Sequence, residues 1–160
     1  MHGKTRCPRT RIPRVSVVSD SVRLAITLRA ASRCEYCHVP THGQVTTFPI
    51  DHILPVSAGG TDIESNLALA CPHCNGHKWA AVEGFDQVTR KPTRLFNPRL
   101  DSWSEHFAWS TIDLGELLPN TAVGRVTADR LQMNEPTMVE LRQLLAEPFH
   151  KETKAFVYLL

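Results

Sequence analysis

The sequence predicts a small α+β protein with a compact core flanked by helices. Two C-x-x-C pairs, at Cys34 and Cys37 and at Cys71 and Cys74, are separated by 33 residues, which include a stretch rich in Val, Thr and Phe. Apolar residues at helical spacing lie on both sides of the pairs. At 160 residues, the chain suits one compact domain or a small core with extensions.

The positive charge of the chain is concentrated before residue 34. Residues 1–33 carry eight Lys or Arg side chains and one Asp, whereas the rest of the chain has a net negative charge. Residues 1–18 contain two prolines and no apolar periodicity, which predicts a basic N-terminal arm with a short extended piece at 15–18. Such an arm suits a polyanion, and a solvated tail is the alternative. The candidate phosphate contacts are Arg6, Arg9, Arg11 and Arg14.

A helix is predicted directly after the arm. Ser19, Asp20 or Ser21 can cap it, and apolar residues recur between positions 22 and 28. Residues 44–50 then favour a strand that ends at 51–52, because Val, Thr and Phe dominate there and a proline follows at position 55.

The second cysteine pair is approached through a loop. Residues 56–65 are polar and contain Gly59 and Gly60, and residues 66–70 form a short apolar segment. A helix is predicted from residue 75 to about residue 83.

The C-terminal region is predicted to pack on this core. Trp103, Phe107 and Trp109 have the spacing of buried residues, and a last helix is expected at 136–146. The expected domains are the arm at 1–18, the core with its cysteine pairs at 19–95, and a C-terminal extension at 96–160.

The four paired cysteines predict a structural zinc site. Two tight turns that each present two thiolates complete the tetrahedron that Zn²⁺ prefers, and four sulfur ligands leave no position open for water. A redox pair would not require a second C-x-x-C. No apolar run approaches the roughly 20 residues of a membrane span, and no signal-peptide core is visible. We therefore expect a cytoplasmic protein with no membrane contact, in a compartment where thiols stay reduced.

Between the cysteine pairs lies a run of recognisable residues. It is D-H-I-L-P-x-S-x-G-G-x-D from Asp51, continued by S-N-L-x-L-x-C-x-x-C-N-x-x-K from Ser65. This run resembles the HNH nucleases of bacteria and phages, and the resemblance covers about residues 33–78. It implies a ββα-metal core of treble-clef type, formed by two strands and a helix around one divalent cation. The implied activity is DNA cleavage that leaves 5'-phosphate and 3'-hydroxyl ends.

The resemblance assigns roles to several polar residues of the run. His52 is expected to be the general base, because a neutral imidazole can take a proton from water near neutral pH. Asp51 and Asn75 are expected to bind a catalytic Mg²⁺ or Mn²⁺, and His77 is the alternative to Asn75. The family's middle Asn corresponds to Asn66, which would brace the loop and hold the backbone at His52.

Lys78, at the end of the run, is a candidate phosphate contact, and a solvated helix lysine is the alternative. Two other functions remain possible for the chain. One is a zinc-stabilised nucleic-acid-binding module without catalysis, and the other is a protein-interaction adaptor. The presence of Asp51, His52 and Asn75 favours the nuclease over both.

Deletion of residues 1–14 should weaken DNA binding and make its salt dependence shallower. The deletion removes five cations, and each phosphate contact contributes about 0.9 to the log–log salt slope for duplex DNA. Binding titrations across salt concentrations measure the slope. Deletion of residues 1–3 is the matched control, because it removes no Lys or Arg. An unchanged slope after the longer deletion would show that the arm does not contact DNA.

Overall fold

The computed structural model describes residues 18–145. The predicted arm, apart from residue 18, lies outside these residues, as do its four arginines and residue 146 of the last predicted helix. The described elements mix short helices with small sheets, which confirms the predicted α+β class. Among residues 18–145, no helix is long and apolar enough to cross a membrane.

Five α-helices and six strands make up the described part of the chain. In chain order they are α1 Asp20–Arg29, β1 Ile50–His52, β2 Leu67–Leu69, α2 Pro72–Lys78, β3 Glu83–Asp86, β4 Lys91–Arg94, α3 Trp103–His106, β5 Phe107–Trp109, β6 Leu117–Pro119, α4 Ala122–Arg130 and α5 Pro136–Leu145. The strands form three antiparallel pairs, β1 with β2, β3 with β4, and β5 with β6. Two short 3₁₀ turns, Val56–Ala58 and Glu64–Asn66, lie between β1 and β2.

Helix α1 begins where the sequence predicts it. The Ser19 side chain caps the helix by accepting a hydrogen bond from the Val22 N–H. Ile26 faces the core, and Arg29 in the last turn donates to the carbonyl of Leu67 at 2.7 Å. The helix is thereby attached to strand β2, beside the candidate site.

Two predicted element boundaries are wrong. The strand expected at 44–50 starts only at Ile50, because its partner β2 offers three residues for pairing and Pro49 has no N–H to donate. The helix expected at 75–83 instead runs over Pro72–Lys78. Cys71 caps it and a proline occupies its first turn, where no N–H is needed. It ends at Trp79, whose φ of 50° is incompatible with a continuing helix.

The hydrophobic core is shared by the cysteine region and the C-terminal residues. Phe107 is buried, whereas Trp103 is half-buried and packs against it with a ring separation of 5.3 Å. Trp103 also donates its indole N–H to the carbonyl of Tyr36 at 2.9 Å. Trp109, expected in the core, is substantially exposed.

Candidate metal centre and active site

The four paired cysteines come together in the interior. All four are buried, and their sulfur atoms lie within 4.8 Å of one another. The sulfurs of Cys37 and Cys71 are 3.7 Å apart. Two sulfurs bound to one tetrahedral Zn²⁺ at about 2.3 Å would be separated by about 3.8 Å. The cluster therefore fits a bound metal such as zinc.

Each pair is shaped by its own local structure. In the first pair, the turn is closed by hydrogen bonds from the Cys34 N–H to Val39 and from the His38 N–H to Cys34. In the second, the sulfur of Cys71 accepts from the N–H of Cys74 at the start of α2. Hydrogen bonds with the other three sulfurs raise the pKa of Cys74 well above its ordinary value. A metal cation is what would hold such a group as a thiolate.

The two residues inside the first cysteine pair connect it to the β1–β2 hairpin. Glu35 accepts a hydrogen bond from the Leu69 N–H at 2.8 Å and forms an ion pair with Arg99. Tyr36 is fully buried and donates its hydroxyl to Oδ2 of Asp51 at 2.7 Å. Burial raises the pKa of Tyr36, so its hydroxyl keeps the proton that it donates. The sequence pattern assigned no role to either residue.

Asp51 and His52 point to opposite faces of strand β1. Asp51 is 5% exposed, whereas His52 is only partly buried, as expected for neighbours on a strand. Burial raises the pKa of Asp51, and the nearby Lys78 ammonium and Tyr36 hydroxyl act in the opposite direction. The carboxylate thus lies inside the protein among polar partners.

Lys78 is one of those partners. The side chain is enclosed, with 1% exposure, and Nζ lies 3.1 Å from Oδ1 and 3.0 Å from Oδ2 of Asp51. It also donates to the carbonyl of His52 at 2.8 Å. The structure therefore places this ammonium in the interior, and not at the surface where a phosphate contact was expected.

The His52 ring lies near the surface of the hairpin. Its side chain is 16% exposed, and Nε2 is 2.7 Å from Oδ1 of Asp62, a residue to which the sequence analysis gave no role. Among residues 18–145, no hydrogen bond is formed by Nδ1. In the sequence, Asp62 is the last residue of the D-H-I-L-P-x-S-x-G-G-x-D run, two residues after the Gly59–Gly60 pair.

The side-chain amide of Asn66 crosses the loop between the two strands. Its Oδ1 accepts from the Leu54 N–H at 2.8 Å, and its Nδ2 donates to the carbonyls of Leu54 and Thr61, both at 3.0 Å. The Asn66 backbone carbonyl accepts from the N–H of Ile53, the residue after His52. Asn66 therefore contacts the chain beside His52 but forms no direct bond to His52.

The helix residues proposed for a second metal ion are more open than Asp51. Asn75 is half-buried, and its side chain forms no hydrogen bond among residues 18–145. His77 is exposed and its ring packs on that of His73 at 4.4 Å. On a helix these two positions point about 200° apart, so one ion would not be expected to contact both.

The donor types fit a hard divalent cation, with one condition. Carboxylate and amide oxygens suit Mg²⁺ or Mn²⁺, and a carboxylate has about four lone-pair positions, not all of which are taken by Tyr36 and Lys78 at Asp51. The Lys78 ammonium, however, already supplies a positive charge beside this carboxylate. Binding of a second cation at Asp51 must therefore work against repulsion from Lys78.

Comparison with known families agrees with the motif resemblance. Residues 34–80 match the family model described as HNH endonuclease. The match contains both cysteine pairs, Asp51, His52 and Asn66, and spans less than a third of the chain. No curated protein matches the chain. The match and the sulfur cluster together indicate a metal-binding domain with a nuclease or nucleic-acid-related function.

Replacement of Cys74 by serine should abolish both zinc content and stable folding. Structural zinc contributes about 10–16 kcal/mol in small zinc domains, which is comparable with the whole stability of a typical protein. Elemental analysis and circular dichroism measure the two effects. Cys7→Ser is the matched control, because Cys7 belongs to neither C-x-x-C pair. A soluble, zinc-loaded Cys74→Ser protein would contradict the assignment of this ligand.

Replacement of Lys78 by methionine should reduce the free energy of unfolding by about 3–5 kcal/mol, because it leaves a buried carboxylate without its counter-charge. The double variant Asp51→Asn/Lys78→Met should recover part of the loss, since it removes both charges. Lys91→Met, at an exposed position, is the control and should change stability by less than about 0.5 kcal/mol. Denaturant unfolding gives all three values. A Lys78→Met protein as stable as the control would disprove the buried pair.

Proposed function

We propose that this protein is a DNA endonuclease that hydrolyses phosphodiester bonds with His52 as general base, leaving 5'-phosphate and 3'-hydroxyl ends. The proposal is based on the exposure and the hydrogen bonding of the His52 ring. The ring reaches the surface of the hairpin, one nitrogen is bonded to a carboxylate, and the other has no partner among residues 18–145. A histidine held in this way can accept a proton from a water molecule beside a bound phosphodiester.

The proposed reaction begins when Nδ1 of His52 takes a proton from water. The resulting hydroxide attacks phosphorus and the bond to the 3' oxygen breaks. The 3' oxygen takes a proton from solvent, which leaves a 5'-phosphate and a 3'-hydroxyl. The backbone of His52 is held from two sides, because Lys78 bonds to its carbonyl and β1 pairs with β2 at this residue. This support favours catalysis, since a general base must stay within hydrogen-bond reach of the water from which it takes the proton.

Asp51 and Asn75 are the residues that would hold the proposed catalytic Mg²⁺ or Mn²⁺, with His77 as the alternative to Asn75. Such an ion, when bound, stabilises the negative charge on the phosphate and the leaving oxygen. Lys78 is assigned a different task from the one suggested by the sequence. It holds the Asp51 carboxylate and the His52 carbonyl in a fixed relation.

DNA is the proposed partner, and the cytoplasm is the proposed compartment. The basic residues before Cys34 support the first proposal, since they can neutralise backbone phosphates. Four clustered cysteines without disulfides support the second, because they suit a compartment in which thiols stay reduced.

One observation favours a second candidate function. Asp51 is 5% exposed and its carboxylate already bonds to Tyr36 and Lys78, so a catalytic ion at Asp51 would have to bind beside the Lys78 ammonium. A zinc-stabilised module that binds nucleic acid without cutting it would be compatible with this arrangement.

Incubation of the purified protein with supercoiled plasmid and Mg²⁺ or Mn²⁺ separates the two candidates. Cleavage supports the nuclease, and retardation of intact plasmid supports the binding module. We expect His52→Ala to lower the cleavage rate by about 10²- to 10⁴-fold, because a positioned base contributes that much. DNA retardation and thermal stability should stay close to the parent values.

The matched control is His42→Ala, since His42 is an exposed histidine outside the strands and helices. It should cleave at the parent rate. Residual cleavage by His52→Ala within about threefold of the parent would exclude His52 as the base.

A further inference from the structure

The hydrogen bond between His52 and Asp62 joins two residues that the loop brings together across ten positions. Oδ1 of Asp62 lies 2.7 Å from Nε2 of His52, a short distance for a charge-assisted bond. An ionised carboxylate can only accept hydrogen bonds. The nitrogen that faces it must therefore carry the hydrogen, and the neutral ring must leave Nδ1 unprotonated.

The side chain of Asn66 fixes both ends of this contact. The amide accepts a hydrogen bond from the backbone N–H of Leu54, two residues after His52, and donates one to the backbone carbonyl of Leu54. It also bonds the carbonyl of Thr61, the residue directly before Asp62. One amide thus sets the distance between the segment that carries the imidazole and the segment that carries the carboxylate.

The loop closes tightly enough to require glycine at position 60. A Cβ atom there would lie 1.8 Å from the carbonyl oxygen of Leu54, a backbone atom that cannot turn away. The preceding Gly59 has a φ of 90°, which a residue with a side chain rarely adopts. The close approach holds residue 60 against Leu54, and Asp62 lies two residues further on, beside the ring.

We propose that Asp62 is a positioning residue for His52, which holds the imidazole in the tautomer with hydrogen on Nε2 and so presents Nδ1 as the base. The inference rests on the proposed function, because it assigns the task of orienting the base that the nuclease requires. In the reaction, the proton from water moves to Nδ1, while the hydrogen on Nε2 stays there. Asp62 remains ionised throughout and stabilises the imidazolium that forms.

Stability gives a weak reason for this contact. The Asp62 side chain is 53% exposed, and exposed ion pairs contribute about 0–1 kcal/mol to folding. Orientation of the ring is a better reason for the contact, because a bond that fixes Nε2 also fixes the position of Nδ1. Asp51, the nearer carboxylate in sequence, lies on the other face of the strand and bonds to Tyr36 and Lys78 instead.

The test is the ring tautomer of His52, measured by ¹⁵N NMR of the imidazole in the full-length, zinc-loaded protein. The parent should have its hydrogen on Nε2. In Asp62→Asn, which replaces an acceptor-only group by an amide that also donates, and in Asp62→Ala, the Nδ1–H form should rise to a substantial fraction. Glu64→Gln is the matched control, because it neutralises another exposed carboxylate of the same loop. It should leave the tautomer unchanged.

Cleavage kinetics supply the second readout. We expect Asp62→Asn to lower kcat by about 10- to 100-fold with little change in KM, by analogy with the loss of groups that orient a metal-bound histidine. A parent-like tautomer in both Asp62 variants would overturn the inference, whatever the cleavage rate. If the tautomer changes in the Asp62 variants but the parent protein never cuts DNA, the orienting role of Asp62 is supported and the nuclease is rejected.

Discussion

The geometry of the candidate site depends on the four-sulfur cluster. The cluster joins the turn after α1 to the start of α2, and this turn and the far end of α2 each send one side chain to Asp51. Tyr36 comes from the first and Lys78 from the second. Strands β1 and β2 alone pair over three residues, and an isolated two-stranded hairpin is marginal in water. A metal ion that holds the sulfurs together therefore also holds the residues around Asp51.

Four thiolates around one Zn²⁺ would carry a net negative charge, which a nearby buried cation would offset. Arg142 of α5 is a buried cation with a suitable position. Within the described part of the chain its Nη1 has no hydrogen-bond partner, while its other nitrogens bond to the carbonyls of Gly115 and Met133. Burial lowers the pKa of Arg142, and the sulfurs of Cys37, Cys74 and Cys71 act in the opposite direction. Helix α5 thereby contributes to the electrostatics of the cluster.

Local signals in the sequence predict the cysteine cluster and the start of α1, since both depend on neighbouring residues. Local signals do not predict features that depend on tertiary contacts, such as the length of a strand or the burial of a charged side chain. The strand before Asp51 is short because its partner is short, which the composition of residues 44–50 does not encode. A lysine in the last turn of a helix is usually solvated, but Lys78 is buried because a carboxylate lies opposite it. Asp62 contacts the imidazole only because the loop at Gly60 closes on Leu54.

The two carboxylates near His52 differ in environment, and this difference separates their roles. Asp51 is enclosed and paired with an ammonium, so it stabilises the interior around the strand and could bind a second cation only against Lys78. Asp62 is half in solvent and contacts the ring itself. The alternation of side chains along a strand explains why one carboxylate cannot both pair with Lys78 and contact the His52 ring. Because Asp51 and His52 face opposite sides of β1, a carboxylate that orients the ring has to come from another segment, and the loop supplies it.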